Sequence, residues 1–570
     1  VDEVPLPALA DIKQDAAISV PREVDLDVRP PVAVSLGPVL HGAAMPHPDP
    51  RDPLTTVAGS MKRFAIRPPK PDVQWLEELG EFVRDWLPKN LVPLDPATDV
   101  SVESWLLKTT YPRWRRDELL VKWYKVASIW EKRYHGVKSF MKLETYLEWK
   151  YARGINSRTD EFKCAVGPIF KAIEEKLYQH PSFIKHVPVA DRPRYITEML
   201  YREYGTYLAS DYTAFEALFT KEVMEKVEFQ LYEYMTSKLP GGPEFMRLVR
   251  EVLGGLNWCE FRDFFVSLFG TRMSGEMCTS LGNGFANLMF MLFMLKKFGC
   301  TDVAGVVEGD DGLFVCRGTP PTGKDFEKLG LIIKLETYSS LAEASFCGMV
   351  FDPEDKLTVM DPREVLSAFG WASGNYARSN AKTLKTLLRC KSLSLAHQYP
   401  GCPVISALAQ YGLRVTRDVK RIHLYRVMNS GKAMSGWERD QLLDALRDEA
   451  RIKYVVPPMN TRLLVERLYG ITVEMQYYFE NLLDSKNDLL PIKDDLMLAL
   501  CPQSWKDYWA TYVGNAEDER RPHINAPQKC IILPCRRIGD WLVARDATPR
   551  NLPPVPGRLC DLTARAVLAR

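Results

Sequence analysis

Apolar and polar positions change their rhythm several times along this chain, and each change marks a different kind of element. Residues 1–60 show no sustained helical or strand period and hold ten of the forty prolines, so they are expected to form an extended arm. Over residues 73–86, and again over 117–150, Trp, Tyr and Leu recur at three- and four-residue spacing, which predicts helices. A short apolar run, Tyr207-Leu208-Ala209, then predicts a strand that ends at Asp211 before a helical pattern begins near Ala217. Helical spacing continues through 221–269. A loop rich in Gly, Ser and Thr at 270–284 then runs into an apolar helix that holds the chain's longest apolar run, 288–295.

The next pattern is a hairpin. Val306-Val307-Glu308 and Leu313-Phe314-Val315 are strand-forming runs on either side of Gly309-Asp310-Asp311-Gly312. The Asp311-Gly312 pair predicts the tight turn, which places Asp310 and Asp311 at an exposed bend. From residue 362 to about 508 the pattern is helical with few strand signals, clearest at 377–395 and 436–454, and Pro and Arg return from Gly514 onward.

Composition narrows the possibilities. With 570 residues the chain can form several cores, and 46% hydrophobic residues make it globular. A net charge of +2 excludes a generally cationic protein, so any nucleic-acid channel must gather its positive charge locally. Basic clusters occur at 113–116 with Lys122 and Lys125, at 150–163, and at 185–194. Twelve cysteines without a Cys-x-x-Cys pair signal neither a disulfide framework nor a zinc finger. Cys530 and Cys535 near His523 lack finger spacing, and Cys347 is expected to be a small buried apolar residue. No apolar run approaches the roughly 20 residues that span a bilayer. The chain begins at Val1 with no signal-peptide pattern, so a processed or trimmed product is expected. A Walker A phosphate loop is absent, since Gly323-Lys324 lacks the upstream glycine, and nothing suggests a protease or methyltransferase.

Three blocks carry candidate chemistry: a strand-end acid at Asp211, a Gly/Ser loop leading into a helix bearing Asn283, and the paired acids of the hairpin. In this order they resemble motifs A, B and C of viral RNA-dependent RNA polymerases. Ser274, Gly275, Thr279 and Asn283 match the spacing of motif B, and Gly309-Asp310-Asp311 that of motif C. Motif A departs from the pattern, carrying Glu216 where the family usually has a second Asp. The segment 150–163 resembles the basic motif F, and 166–175 resembles the run that follows it in the tombusvirus-like group of positive-strand RNA virus polymerases. Residues 326–334 resemble motif D and 345–351 motif E, so the resemblance covers roughly 146–352.

The resemblance implies a mixed α/β (α+β) right-hand fold, with fingers, a palm of antiparallel sheet plus helices, and a helical thumb, closed by fingertips. On that reading 1–60 is the arm and 61–204 the extension and fingers. The palm takes 205–220 and 270–360, 221–269 is a fingers insertion, 361–513 the thumb and 514–570 a tail. It further implies two Mg2+ ions, replaceable by Mn2+, held by Asp211, Asp310 and Asp311, with Lys334 as the acid that protonates pyrophosphate. Arg153, Arg158 and Lys163 would meet the triphosphate, while Glu216, Ser274, Thr279 and Asn283 would contact the nucleotide and its ribose. Lys150, Gly275 and Gly282 would lie along the template. Expected partners are template and nascent RNA, ribonucleoside triphosphates, and replication proteins that anchor the chain to membrane. Expected locations are the host cytoplasm, in membrane-associated replication complexes, or the virion. De novo initiation is expected; the alternatives are a reverse transcriptase and a silent RNA-binding scaffold.

Overall fold

Four strands from the middle of the chain form one antiparallel sheet in the order β10-β5-β9-β8: β5 is Thr206–Tyr212, β8 Thr301–Glu308, β9 Asp311–Arg317 and β10 Ile333–Tyr338. The computed structural model describes residues 9–20, 31–48, 53–262, 264–430, 436–516, 528–531 and 565–566, a mixed α/β protein with several small sheets. Both faces of this central sheet are covered. Leu208, Val307, Phe314 and Cys316 join the largest core cluster, while Tyr207, Val306, Leu313 and Val315 pack against Ile184, Ile196, Leu200 and Phe351 on the other side. That double burial explains why the strands read as continuous apolar runs rather than alternating ones.

The 19-residue helix Thr279–Lys297 packs into the main core together with the helices Val73–Asn90 and Asp160–Leu177. It is buried over most of its circumference, as expected of a helix apolar on nearly every side. Among the described residues no helix is long and apolar enough to cross a membrane.

A second sheet runs β16-β1-β7-β6-β3-β4, with β16 the short strand Arg565–Ala566, and corrects two sequence expectations. Residues 221–269 are helical only as far as Leu253; β6 (Leu256–Glu260) and β7 (Phe265–Phe269) then form a hairpin. Residues 117–150 are helical only to Trp123, within Arg113–Trp123, after which the chain forms β3 (Val137–Met141). β3 pairs with β4 (Gly154–Arg158) and, in parallel, with β6 more than a hundred residues away, a partner no local pattern reveals.

The described residues of the expected extended arm are instead part of the body. β1 (Ala17–Val20) pairs with β7, and β2 (Ala33–Ser35) pairs with β13 (Trp371–Ser373). Val32, Val34, Leu36, Val39 and Leu40 are buried, several in the core of the C-terminal helices. Prolines erase periodicity without preventing burial, because an extended segment still presents side chains to a neighbouring core. Pro53–Phe64 within the same stretch is a helix.

The C-terminal layer is helical as expected, with Ala381–Gln398 and Gly436–Arg447 near the two predicted runs. Beyond it, β14 (Val513–Ala516) pairs with β15 (Gln528–Ile531), which pairs in turn with β2. Cys530 lies in β15, whereas Cys535 and His523 lie outside the described residues.

Candidate active site at the tip of the central sheet

The turn between β8 and β9 is Gly309-Asp310, since Glu308 pairs directly with Asp311. The positive φ of the turn belongs to Gly309, at +59°, and not to the Asp311-Gly312 pair. A glycine at the first central position is what this class of two-residue hairpin favours. Asp310 therefore sits at the tip, while Asp311 opens strand β9.

Register assembles the rest. Lys334 pairs with Asp211 across β10 and β5, and Ser210 pairs with Gly312 across β5 and β9, so the next residues along, Asp211 and Asp311, come opposite one another. Directly opposed residues share a face of a sheet. Lys334, Asp211, Asp311 and Glu308 thus form a row across one end of the sheet, with Asp310 beside it.

The carboxylates repel one another. Asp211 is raised above the usual carboxylate range by burial, Asp310 and Glu336, against the opposing field of Lys334. Asp311 is pushed up to about 7, first by burial and then by Asp310, with Glu308 and Asp211 adding. Both side chains are open to solvent on one side while protein surrounds the remainder, the condition of groups on the floor of a cleft. Glu308 is held by Arg192 at 2.8 Å. Among the described residues no three carboxylate, imidazole or thiolate groups converge closely enough to hold a metal as they stand. By donor type, however, Asp211, Asp310 and Asp311 fit a hard divalent cation, whose charge would relieve the crowding that raises Asp211 and Asp311.

A residue that sequence reasoning missed holds the tip in place. Asn287, fully buried one helical turn beyond Asn283, donates to the carbonyls of Asp310 at 3.1 Å and Gly309 at 3.4 Å, and accepts from the Ser210 hydroxyl at 3.4 Å. An amide in an otherwise apolar helix was its available signal. Cys347, expected to be simply apolar, adopts φ +53° and lies in the field of Asp311; burial and that neighbour raise its thiol pKa.

The basic segment divides into two groups. Lys150 is exposed, stacks over Tyr146 at 4.4 Å, and lies in the fields of Arg153, Asp211 and Lys62. Arg153 is bound by Glu144, with Nη2 2.9 Å from Oε2; burial opposes its charge, but Glu144, with Tyr146 and Asp310 adding, raises its pKa. Arg158 corrects the expectation of a phosphate contact, because it is 3% exposed with its guanidinium committed to Glu276 at 2.7 Å, the His135 carbonyl at 2.9 Å and Asn257. Its neighbours in the sequence do not distinguish it from Arg153; alternation along β4 does, turning it into the body. Lys163 is likewise drawn into the ion-pair group of Asp160 with Arg115 and Lys122, 3.9 Å from Asp160.

The motif B residues also meet protein. Ser274 Oγ donates to the Gly154 carbonyl at 3.1 Å and accepts from Asn156 N–H at 3.2 Å, which fastens the loop to β4. Gly275 N–H donates to the Asn156 carbonyl at 2.8 Å, and a Cβ at Gly275 would lie 2.6 Å from that oxygen. A Cβ at Gly282 would lie 2.5–2.7 Å from Arg272, Glu228 and Tyr232, so this glycine also admits protein rather than a template backbone. Thr279 Oγ1 donates to the Met273 carbonyl at 2.8 Å. Asn283 accepts from Arg272 Nε at 3.0 Å, and Arg272 is itself buried against Glu228 at 2.6 Å. Glu216, read as a nucleotide and ribose contact, is 6% exposed and ion-paired with Arg63. Lys334 is exposed and paired with Glu336 at 2.6 Å.

No protein-family model matches this chain, and no curated protein matches it.

Proposed function

We propose that this protein is an RNA-directed RNA polymerase, copying an RNA template from ribonucleoside triphosphates. The observation that carries the reading is the meeting of Asp211, Asp310 and Asp311 at one end of a single antiparallel sheet, from segments a hundred residues apart, with Lys150 and Arg153 in their electrostatic reach. The central sheet corresponds to a palm, the β1-β7-β6-β3-β4 sheet and its helices to fingers, and the C-terminal helices to a thumb.

Asp211, Asp310 and Asp311 would hold two Mg2+ ions, or Mn2+ in their place, which supply the Lewis acidity that activates a 3′-hydroxyl and neutralises departing pyrophosphate. Lys150 and Arg153 attract the incoming triphosphate; Arg153 keeps its charge against burial because Glu144 grips it. Lys334 pairs across the sheet with Asp211, and the hydrogen bond it donates to Glu336 raises its pKa, so it remains protonated and can deliver a proton to a leaving phosphate oxygen. Asn287 keeps the hairpin tip aligned with β5. Template and product are held through phosphate and sugar, because a copying enzyme accepts every base. Replication proteins are the partners that would bring such a chain to a membrane in the host cytoplasm, and initiation is de novo on this reading.

The test is incorporation of labelled ribo- and deoxyribonucleotides on an RNA template with Mg2+ or Mn2+, comparing the native chain with Asp310→Asn. Ribonucleotide incorporation that disappears in the variant is the expected result. Preferential deoxyribonucleotide incorporation would indicate a reverse transcriptase, and RNA binding without synthesis a scaffold.

A further inference from the structure

The acid that follows Asp211 by five residues has a partner from an unexpected part of the chain. Glu216 lies in the short helix Phe215–Leu218, just past the end of β5, and its carboxylate is nearly enclosed. Burying a carboxylate is costly unless it is paired, and the pair here is Arg63, at the C-terminal end of the helix Pro53–Phe64. Close packing locks that helix in place: a Cβ at Gly59 would lie 2.4 Å from the Ala152 carbonyl oxygen, just ahead of Arg153. Lys62, next to Arg63, acts on Lys150, which also feels Asp211, so this end of the helix borders the same cleft.

The ion pair is incomplete. Arg63 uses Nη2 on Glu216 Oε1, while its buried Nε–H has no partner among the described residues. The second oxygen of Glu216 has no hydrogen bond there either. That second oxygen is an acceptor left for a ligand hydroxyl, which can donate to it, whereas the Arg63 Nε–H is enclosed by protein. Asn283, the other side chain suited to this task, has its amide oxygen taken by Arg272. The Arg272 backbone N–H bonds the Glu216 carbonyl at 3.0 Å, so the Glu216 helix is fixed from that side as well.

We infer that Arg63 is the positioning residue for Glu216 in reading the ribose 2′-hydroxyl of the incoming nucleotide, an inference that rests on the polymerase reading above. The extra methylene of Glu216 is matched by an arginine from the N-terminal segment, which makes this segment a determinant of sugar choice. A site that hydrogen-bonds a hydroxyl rejects the analogue lacking it, because its polar groups are then left unpaired.

The experiment measures kcat/KM for ATP, for 2′-deoxy-ATP and for a mismatched ribonucleotide in the full chain, with native protein, Arg63→Ala, Arg63→Lys, Glu216→Gln and the Arg63→Ala/Glu216→Gln pair. The expected result is a drop of about 10-fold or more in discrimination against the deoxy substrate in Arg63→Ala and in Glu216→Gln. The double variant should lose little more than either single one, and discrimination against the mismatch should stay unchanged. Should Arg63→Ala fail to fold, Arg63→Lys decides, since it keeps the charge but replaces the planar Nη2 donor with a shorter-reaching ammonium, and unchanged discrimination in it would overturn the inference. Equal losses on ATP and deoxy-ATP, or an equal change in mismatch discrimination, would overturn the inference and make the pair a strut, while native activity abolished by Asp310→Asn leaves the polymerase reading standing. A native chain that incorporates neither sugar overturns both.

Discussion

Asn287 shows how much of the candidate site depends on a residue outside the acidic motifs. Its amide is the link between the helix Thr279–Lys297, the hairpin tip and β5, and it is fully buried. Replacing it with Leu, similar in volume, leaves the Ser210 hydroxyl and two turn carbonyls without that partner. The expected cost is about 1–3 kcal/mol of stability, read by urea denaturation, with a lower rate of synthesis at saturating nucleotide. An unchanged denaturation midpoint would show that the network carries no stability. At this scale the places of the acids were legible, because a strand end and a tight hairpin turn are marked by local pattern. The arginines were not: Arg153 and Arg158 look alike in sequence, yet one borders the cleft and the other is buried against Glu276 and Asn257.

Among elements, the described stretches 9–20 and 31–48 depart most from their sequence appearance. They tie the β7 side of the molecule to the C-terminal helices through β1 and β2, with Val34, Leu36 and Leu40 in the core they enter. A deletion of residues 1–48 is therefore expected to lower the melting temperature by about 10 °C or more, or to yield aggregated protein, rather than to leave synthesis intact. A deletion variant that melts like the native chain would show that the segment adds no stability. The hairpin β8–β9 and the helix Thr279–Lys297 were legible, because a tight turn and a long apolar helix are local signals. β3, β6 and β7 were not, because each acquires strand character from partners distant in sequence.

For the whole molecule, the charges nearly cancel, but their pairing makes stability depend on pH. Asp160 links the helices Arg113–Trp123 and Asp160–Leu177 through Arg115 and Lys122. Burial alone would raise its pKa, but hydrogen bonds from those two cations, with their charges, bring it from 3.8 down to about 2. Glu144 falls from 4.5 to about 2, where burial is outweighed by Arg153 and then Lys142. Both folded-state values lie below the unfolded ones, so this stability is fully present above about pH 4.5 and is lost as pH falls toward 2. Asp160→Asn should flatten that acid limb in a pH series of chemical denaturation, lowering stability at pH 7 by about 1 kcal/mol after solvent screening. An acid limb identical to that of the native chain would assign the loss to other groups.

The sequence by itself determined the central hairpin, the helix behind it, the helical C-terminal layer and the identity of the three carboxylates. These depend on local periodicity and turn chemistry. Only the tertiary structure decided which cations border the cleft, that Glu216 pairs with Arg63 and Asn283 with Arg272, and that a proline-rich stretch is built into the body. Those outcomes depend on which face of a strand turns inward and on which distant segment lies across from it. Both are properties of packing between elements, and no window of neighbouring residues contains them.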